Sequence, residues 1–152
     1  MIAPQSYTQS LSRSEKIVSD KVRAYIREPS EENVHDLRTS IRRLLTTASV
    51  LPKTIRRQRE FKRHLESYAK LLRLNAKVRD VDIILAKLPQ HGDDPQFSIL
   101  ATQLKEIRES SLKRAKRFAS SIKGKKGHIR SGQRSLLPAH PETIQENNQF
   151  PH

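Results

Sequence analysis

The sequence predicts an all-α fold, an antiparallel bundle of about four to five helices with a basic surface. Apolar residues recur at spacings of three and four almost everywhere up to about residue 123, which is the period of an amphipathic helix. No window alternates apolar and polar residues, and glycine is absent before Gly92. Because long helices with short connections pack as antiparallel neighbours, a bundle is the expected architecture.

The first two helices are predicted by their apolar spacing and by the residues between them. The first runs from about Tyr7 to Arg27 and ends before Pro29. Ser30 is expected to cap the second helix, which stops at Pro52. The positions predicted to be buried are Leu11, Ile17, Val18, Val22, Tyr25 and Ile26 in the first helix and Val34, Leu37, Ile41, Leu44, Ala48 and Leu51 in the second.

Three further helices follow in the prediction. A third runs from about Thr54 to Lys77, a short fourth covers "VRDVDIILAKL", and a fifth runs from about Gln96 to Lys123 after the turn "PQHGDDP". Their predicted buried positions are Phe61, Leu65, Tyr68, Leu72 and Ala76, then Val81, Ile84, Leu85 and Leu88, then Phe97, Leu100, Leu104, Ile107, Ala115, Phe118 and Ile122.

The composition changes after the fifth helix. From Gly124 the chain is rich in Gly, Pro, Gln and Asn and has no sustained apolar period. The sequence therefore predicts a helical domain over residues 5–123 and a flexible polar tail over residues 124–152.

The charge balance predicts an anionic partner. The chain has 30 Lys and Arg residues against 16 Asp and Glu, a formal net charge of +14, and such a surface attracts nucleic acid, phosphate chains or anionic membranes. The absence of cysteine fits a reducing compartment. Because the N-terminus does not resemble a signal peptide and no apolar run approaches a membrane span, we expect a cytoplasmic protein.

The stretch "ENVHDLRTSIRRLL" concentrates cations on one face of the second helix. At about 100° per residue, His35, Arg38 and Arg42 fall within roughly 60° of one another, with Arg43 a little further round. Like charges one turn apart repel each other unless an anion lies over them. This spacing favours a bound polyanion.

The third helix carries the same charge more densely, with ten Lys or Arg residues from Lys53 to Arg79 against only Glu60 and Glu66. An ordinary solvated face is the simpler interpretation of such a run. A solvated face, however, usually mixes signs and gains salt bridges between successive turns, and acids are nearly missing here. For His35 alone, capping or packing near the helix start is the simpler role.

Two motifs together resemble the CHAD family, the conserved histidine α-helical domain. "VHDLRTSIRRLL" is similar to the His-x-x-Arg-x-x-x-Arg-Arg helix that opens the family's first repeat, and "LLRLNAKVRDVDIIL" contains its Val-Arg-Asp-x-Asp segment. The resemblance covers about residues 5–123. It implies a helical bundle that binds inorganic polyphosphate through basic surface residues.

The resemblance, taken with the basic faces, assigns the binding residues. The predicted polyphosphate contacts are His35, Arg38, Arg42, Arg43, Arg63, Lys70, Arg73 and Arg79. Arg offers a planar fork for phosphate oxygens and Lys a compact charge, so a mixed set can grip a repeating polyanion without reading a sequence. The second motif also maps to Asp80 and Asp82, and Asp80 has a structural alternative as the cap of the fourth helix that orients Arg79.

The sequence departs from the family in two places. Asn75 and Ala76 stand where members often have Leu-Gly, and no second His-x-x-Arg-Arg helix follows the first repeat, since "GHIRSGQR" is only a faint echo of it. Typical members place two repeats across a basic cleft. A homodimer that rebuilds this cleft is therefore expected, with a half-domain as the alternative.

Catalysis is not expected. The chain has no Glu-x-Glu-x-Lys stretch, no glycine-rich phosphate loop and no nucleophile motif, so no catalytic residue and no cofactor is predicted. Asp80 and Asp82 with His35 or His91 have weak spacings for a metal, and no metal site is predicted.

Nucleic acid is the main alternative partner, because phosphate contacts dominate both kinds of binding. The long helices do not resemble a helix-turn-helix, their cationic faces lack Asn and Gln, and aromatic residues are only 5% of the chain. A membrane-surface role is less favoured, since no apolar face rich in Trp or Phe lies beside the basic one. The polyphosphate prediction also suggests an association with polyphosphate granules.

Overall fold

The fold is all-α, as the sequence predicts. The computed structural model describes residues 4–88 and 94–123, which form five helices and no strand: α1 Pro4–Arg27, α2 Glu31–Ser49, α3 Lys53–Arg56, α4 Arg59–Lys87 and α5 Pro95–Lys123. Helix α1 packs on α2 and α5, and α4 packs on α2 and α5, so the four long helices surround one core. The predicted tail at 124–152 lies outside the described residues.

The connection between α1 and α2 is built as predicted. The Ser30 hydroxyl oxygen accepts a hydrogen bond from the backbone N–H of Asn33 at 3.2 Å, which is the expected N-cap contact. The Asn33 side chain donates to the backbone carbonyl of Glu28 at 2.7 Å and holds the connection from the other side. Glu31 and Glu32 occupy the first turn of α2, where negative charge suits the helix dipole.

The apolar stripe of α2 forms the centre of the core, and its prediction is confirmed at every position. The buried members are Val34, Leu37, Ile41, Leu44, Ala48 and Leu51. Helix α1 contributes Leu11, Val18, Val22 and Tyr25, helix α4 contributes Phe61, Tyr68, Leu71 and Val78, and helix α5 contributes Ala115, Ala119 and Ile122.

The prediction of separate third and fourth helices is wrong. Residues 59–87 form one continuous helix, and Asp80 lies inside it, seven residues before its end, so it is not an N-cap. No Gly or Pro interrupts this stretch, and Asn75, two residues before the predicted break after Lys77, is fully buried. Its side-chain amide donates to the Leu71 carbonyl one turn earlier, at 3.1 Å, so its hydrogen bonding is compatible with an unbroken helix.

A helix begins close to Thr54 as predicted, but the prediction that it continues without a break is wrong. Residues 53–56 form only one turn, α3, and Gln58 has an extended backbone (φ −61°, ψ 126°) before α4 begins at Arg59. The half-buried Ile55 of α3 packs against the core. This contact keeps α3 against the bundle although it is too short to be stable alone.

A buried ion pair joins three elements at one end of the bundle. Arg108 of α5 donates from Nε to the Asp82 carboxylate of α4 at 2.5 Å, and its Nη2 donates to the Pro29 carbonyl at 3.3 Å. Only 5% of the Asp82 side chain is exposed. Arg108 therefore ties α4 and α5 to the α1–α2 connection.

Beyond this pair the two longest helices continue as what we name the α4–α5 arm, residues 83–87 and 95–107. The Arg79–Glu31 and Arg108–Pro29 contacts mark the level of the α1–α2 connection, and the arm lies past it. Its α5 part is about 20 Å of helix. The large apolar side chains Ile83, Ile84, Ile99, Leu100 and Ile107 are between 39% and 61% exposed.

Four residues that were predicted to be buried are exposed, three on the arm and one on α1. Ile84, Leu100 and Ile107 are exposed because the arm lies past the ends of α1 and α2, which cover the same faces lower in the bundle. Ile17 is 44% exposed because it is turned about 100° away from the α1 stripe that contains Val18.

The pair at Asp82 gives a prediction on stability. Arg108→Ala would leave the Asp82 carboxylate buried without its cation, and we expect the free energy of unfolding to fall by about 3 kcal/mol. Urea unfolding followed by circular dichroism measures this. Adding Asp82→Leu should recover part of the loss because it removes the stranded charge; a double variant as unstable as the sum of the single variants would contradict the explanation.

A buried histidine makes stability depend on pH. His64 of α4 lies edge-on to the Tyr68 ring with 4.6 Å between ring centroids, and its Nε2 is 3.7 Å from Glu15 Oε1 of α1. Burial lowers the pKa of His64 to about 4, so the imidazole is neutral at pH 7 and its contact with Glu15 is not an ion pair. Burial and the Glu15 charge raise the pKa of Tyr68 to about 12.

Because the pKa of His64 is lower in the folded state than in the unfolded state, the unfolded chain binds the extra proton below pH 6.5 and stability falls as pH falls. We expect the free energy of unfolding to be about 2 kcal/mol lower at pH 5 than at pH 7 from this group. His64→Gln should remove that component in urea unfolding at both pH values. The exposed His35→Gln should retain it, and an unchanged pH dependence in His64→Gln would contradict the assignment.

Candidate anion-binding site

The predicted cations of α2 lie on the side of the helix away from its apolar stripe. His35, Arg42 and Arg43 are exposed and Arg38 is half-buried. His35, Arg38 and Arg42 are three or four residues apart and therefore share one face, whereas Arg43 is turned about 100° from Arg42. The predicted stripe is present, with Arg38 as the member nearest the core.

Arg38 reaches across the boundary between α2 and α4. Its Nη1 donates to the backbone carbonyl of Leu72 at 3.0 Å. This hydrogen bond spans two helices and fixes where the guanidinium lies. The guanidinium makes no other hydrogen bond with the described residues, so its remaining N–H groups can donate to an anion.

The charge at Arg38 lies among other cations. Burial lowers the pKa of Arg38, and the charges of Arg42 on α2 and Arg79 on α4 lower it further, while Asp80 acts in the opposite direction. An Arg guanidinium stays protonated in spite of this, so the charges remain and repel one another. We name Arg38, Arg42 and Arg79 the α2–α4 cluster.

Arg79 makes one ion pair in the described part of the chain. Its Nη1 donates to Glu31 Oε1 of α2 at 2.9 Å, and more than half of the Glu31 side chain is exposed. An exposed ion pair of this kind contributes little and exchanges easily. The pair shows that Arg79 lies beside the start of α2, and Glu31 and Asp80 together offset part of the charge of the three arginines.

The Val-Arg-Asp-x-Asp segment divides into two parts. Arg79 belongs to the α2–α4 cluster and the charge of the exposed Asp80 acts on Arg38, whereas the buried Asp82 binds Arg108 on the core side of the same helix. The sequence prediction did not include Arg108. The sequence feature that could have identified Arg108 is its place on the apolar face of α5, one turn after Leu104.

The predicted contacts on α4 do not all lie near α2. The α2 side of α4 is marked by Leu72 and Arg79. Lys70 and Arg63 are each turned about 160° to 180° from Leu72, and the Lys70 ammonium lies 4.6 Å from the centroid of the Phe118 ring of α5. Arg73 is exposed on the flank between these two sides.

Most of the predicted cations have no acidic partner. His35, Arg42, Arg43, Arg63 and Arg73 make no ion pair with any residue in the described ranges. Ion pairs do form elsewhere in the same bundle, between Lys21 and Asp36 at 2.6 Å and between Arg23 and Asp20 at 2.6 Å. Exposed cations without an ion pair also lie on α3 and α5, and those on α2 and α4 include the predicted contacts.

Metal binding and membrane spanning have no support in residues 4–88 and 94–123. No group of three or more His, Cys, Asp or Glu side chains there could hold a metal ion, and Asp82 is already bound by Arg108. His91, one of the two histidines that could have joined Asp80 and Asp82 at a metal, lies outside the described residues. None of the described helices is both long and apolar enough to cross a bilayer.

Comparison with known families identifies the arrangement. The model of the CHAD domain matches residues 16–142, which is most of the chain and includes all of α2, α4 and α5. The chain belongs to the CHAD domain family. No curated protein and no solved structure gave a match. The CHAD match extends beyond the end of α5 at Lys123, and both motifs of the sequence lie within it.

Proposed function

We propose that this CHAD domain binds inorganic polyphosphate, without catalysis, through the α2–α4 cluster and the exposed cations beside it. The observation that carries the proposal is the hydrogen bond from Arg38 to the Leu72 carbonyl, which holds the guanidinium at the boundary of α2 and α4, where the charges of Arg42 and Arg79 act on it. A phosphate oxygen over these groups would relieve their repulsion. It would also accept charge-assisted hydrogen bonds from more than one guanidinium.

Family membership supports phosphate chains as the ligand. The CHAD family is associated with polyphosphate binding. A polymer of identical phosphates needs neither base contacts nor stacking platforms, and a surface of Arg side chains suits its repeating charge. Such a protein would act in the cytoplasm, where it would associate with polyphosphate granules.

Sequence-nonspecific nucleic-acid binding is the second candidate function, because a cationic surface also attracts a phosphodiester backbone. The aromatic side chains of α4 argue against the stacking modes of single-strand binding. Phe61 and Tyr68 are buried in the core and offer no platform for bases. His35 is the exposed ring on α2 that could stack.

The proposal predicts a loss of binding in the double variant Arg38→Ala and Arg42→Ala. We expect the affinity for long-chain polyphosphate at physiological salt to fall at least tenfold, because two charge-assisted hydrogen-bonding groups are lost. Fluorescence anisotropy with end-labelled polyphosphate measures this. The matched control is Arg13→Ala with Arg27→Ala, which removes the same charge from exposed positions on α1 and should change affinity less than threefold.

Competition separates the two candidate functions. Unlabelled polyphosphate should displace duplex DNA and RNA from the wild-type protein at matched phosphate concentration, and nucleic acid should not displace polyphosphate. Preferential retention of nucleic acid would favour the second function. Unchanged polyphosphate binding in the α2 double variant would contradict the assignment of the site.

The predicted pairing of two chains has a surface available on the α4–α5 arm. The arm contains only Lys87, Lys105 and Glu106 as charged residues and exposes large apolar side chains, whereas the body of the bundle is strongly basic. Two copies would meet there with the least charge repulsion.

We expect sedimentation velocity to detect a dimer that Ile84→Glu with Leu100→Glu dissociates. The control Val50→Glu changes an exposed apolar residue at the other end of α2 and should leave the dimer intact. A wild-type chain that stays monomeric up to the highest concentration measured would contradict pairing.

A further inference from the structure

A second group of cations lies on α3, away from both family motifs. Lys53, Arg56 and Arg57 line a shallow depression of about 240 Å³ that is open to solvent. We name these three residues the α3 cluster. A volume of this size holds several water molecules, and so it has room for a phosphate group.

The backbone beneath the α3 cluster is held in place. The carbonyl of Pro52 accepts hydrogen bonds from the N–H groups of Ile55 and Arg56 at 3.0 and 3.1 Å, and the Arg57 N–H donates to the Lys53 carbonyl at 3.0 Å. Ile55 anchors the turn on the core. The three cations are thus carried by a fixed turn that is packed on the core.

The spacing within α3 places like charges together. Arg56 and Arg57 follow Lys53 by three and four residues, which puts their side chains on the same side of the turn as that of Lys53. All three side chains are exposed, and none makes an ion pair within residues 4–88 and 94–123. An anion in the depression would reduce the repulsion between them.

We propose that the α3 cluster is a second phosphate-binding site, and that one long polyphosphate chain occupies it together with the α2–α4 cluster. The second half of this statement rests on the proposed function. From Arg38 to the end of α2 at Ser49 is about 17 Å along the helix axis, and the connection to α3 follows. A short phosphate chain contacts one cluster, whereas a long one contacts both.

Contact at two separated clusters makes affinity depend on chain length. Once one cluster has bound, the second binding event is intramolecular and its effective phosphate concentration is high. The affinity for a long chain should therefore rise by more than its larger number of phosphate groups alone would give. Inorganic triphosphate should lack this gain.

The first experiment tests the α3 site directly in the full chain. Inorganic triphosphate is titrated into ¹⁵N-labelled protein, and the backbone amide signals of residues 53–58 are followed by NMR. We expect these signals to shift in a saturable way, both in the wild type and in the variant with Arg38→Ala and Arg42→Ala. Absence of a saturable shift at residues 53–58 overturns the α3 site whatever happens at α2.

The second experiment tests whether one chain uses both clusters. The triple variant Lys53→Ala, Arg56→Ala and Arg57→Ala should lose at least tenfold in affinity for long-chain polyphosphate by anisotropy. The matched control, Arg13→Ala, Lys16→Ala and Arg27→Ala, removes three exposed cations from α1 and should lose less than threefold. Equal losses in the two triple variants would mean that α3 contributes only general charge, and would overturn the proposal.

The two proposals fail in different ways. If residues 53–58 respond to triphosphate while the α2 double variant binds long chains normally, the α3 site stands, and the proposed function of the α2–α4 cluster and the shared chain both fail. If the α2 variant loses binding and residues 53–58 do not respond, the α2–α4 cluster stands alone and the α3 proposal fails.

Discussion

Burial of the α2 apolar stripe fixes the rotation of α2, and the candidate site depends on that rotation. Val34, Leu37, Ile41 and Leu44 are fully buried, and any turn of the helix about its axis would expose them at a cost of about 1.5 to 3 kcal/mol each. With the stripe inside, Arg38 lies at the edge of the core, next to the Leu72 carbonyl. The same side chains that stabilise the bundle therefore set the position of Arg38.

Two residues of one motif on helix α4 have different roles. Arg79 faces α2 and the solvent, and Asp82, three residues later, is buried against Arg108. The contact from Arg108 to the Pro29 carbonyl holds the start of α2 at the level of Arg79. A motif that reads as one functional unit thus combines a surface cation with the buried carboxylate that holds the neighbouring helices in register.

Much of the fold could be predicted because helical periodicity is local. The α2 stripe and the Ser30 cap were both predicted and both are present, since each depends on residues within one or two turns. The prediction of two separate helices within residues 59–87 is wrong. Asn75 lies near the predicted helix end, but its side-chain amide donates to the Leu71 carbonyl and the residue is fully buried. This burial depends on the packing of other helices, which the local sequence does not determine.

The sequence alone determined that cations gather on one face of α2 and that few acids accompany the cations of residues 53–79. Tertiary structure decided which cations of α4 lie on the side of α2: the charge of Arg79 acts on Arg38, whereas Lys70 faces Phe118 on the other side of α4. It also decided that the apolar residues of the α4–α5 arm stay exposed. Periodicity gives the face of a helix on which a residue lies, but which neighbour covers that face depends on the lengths and ends of the other helices, and those are set only when the bundle packs.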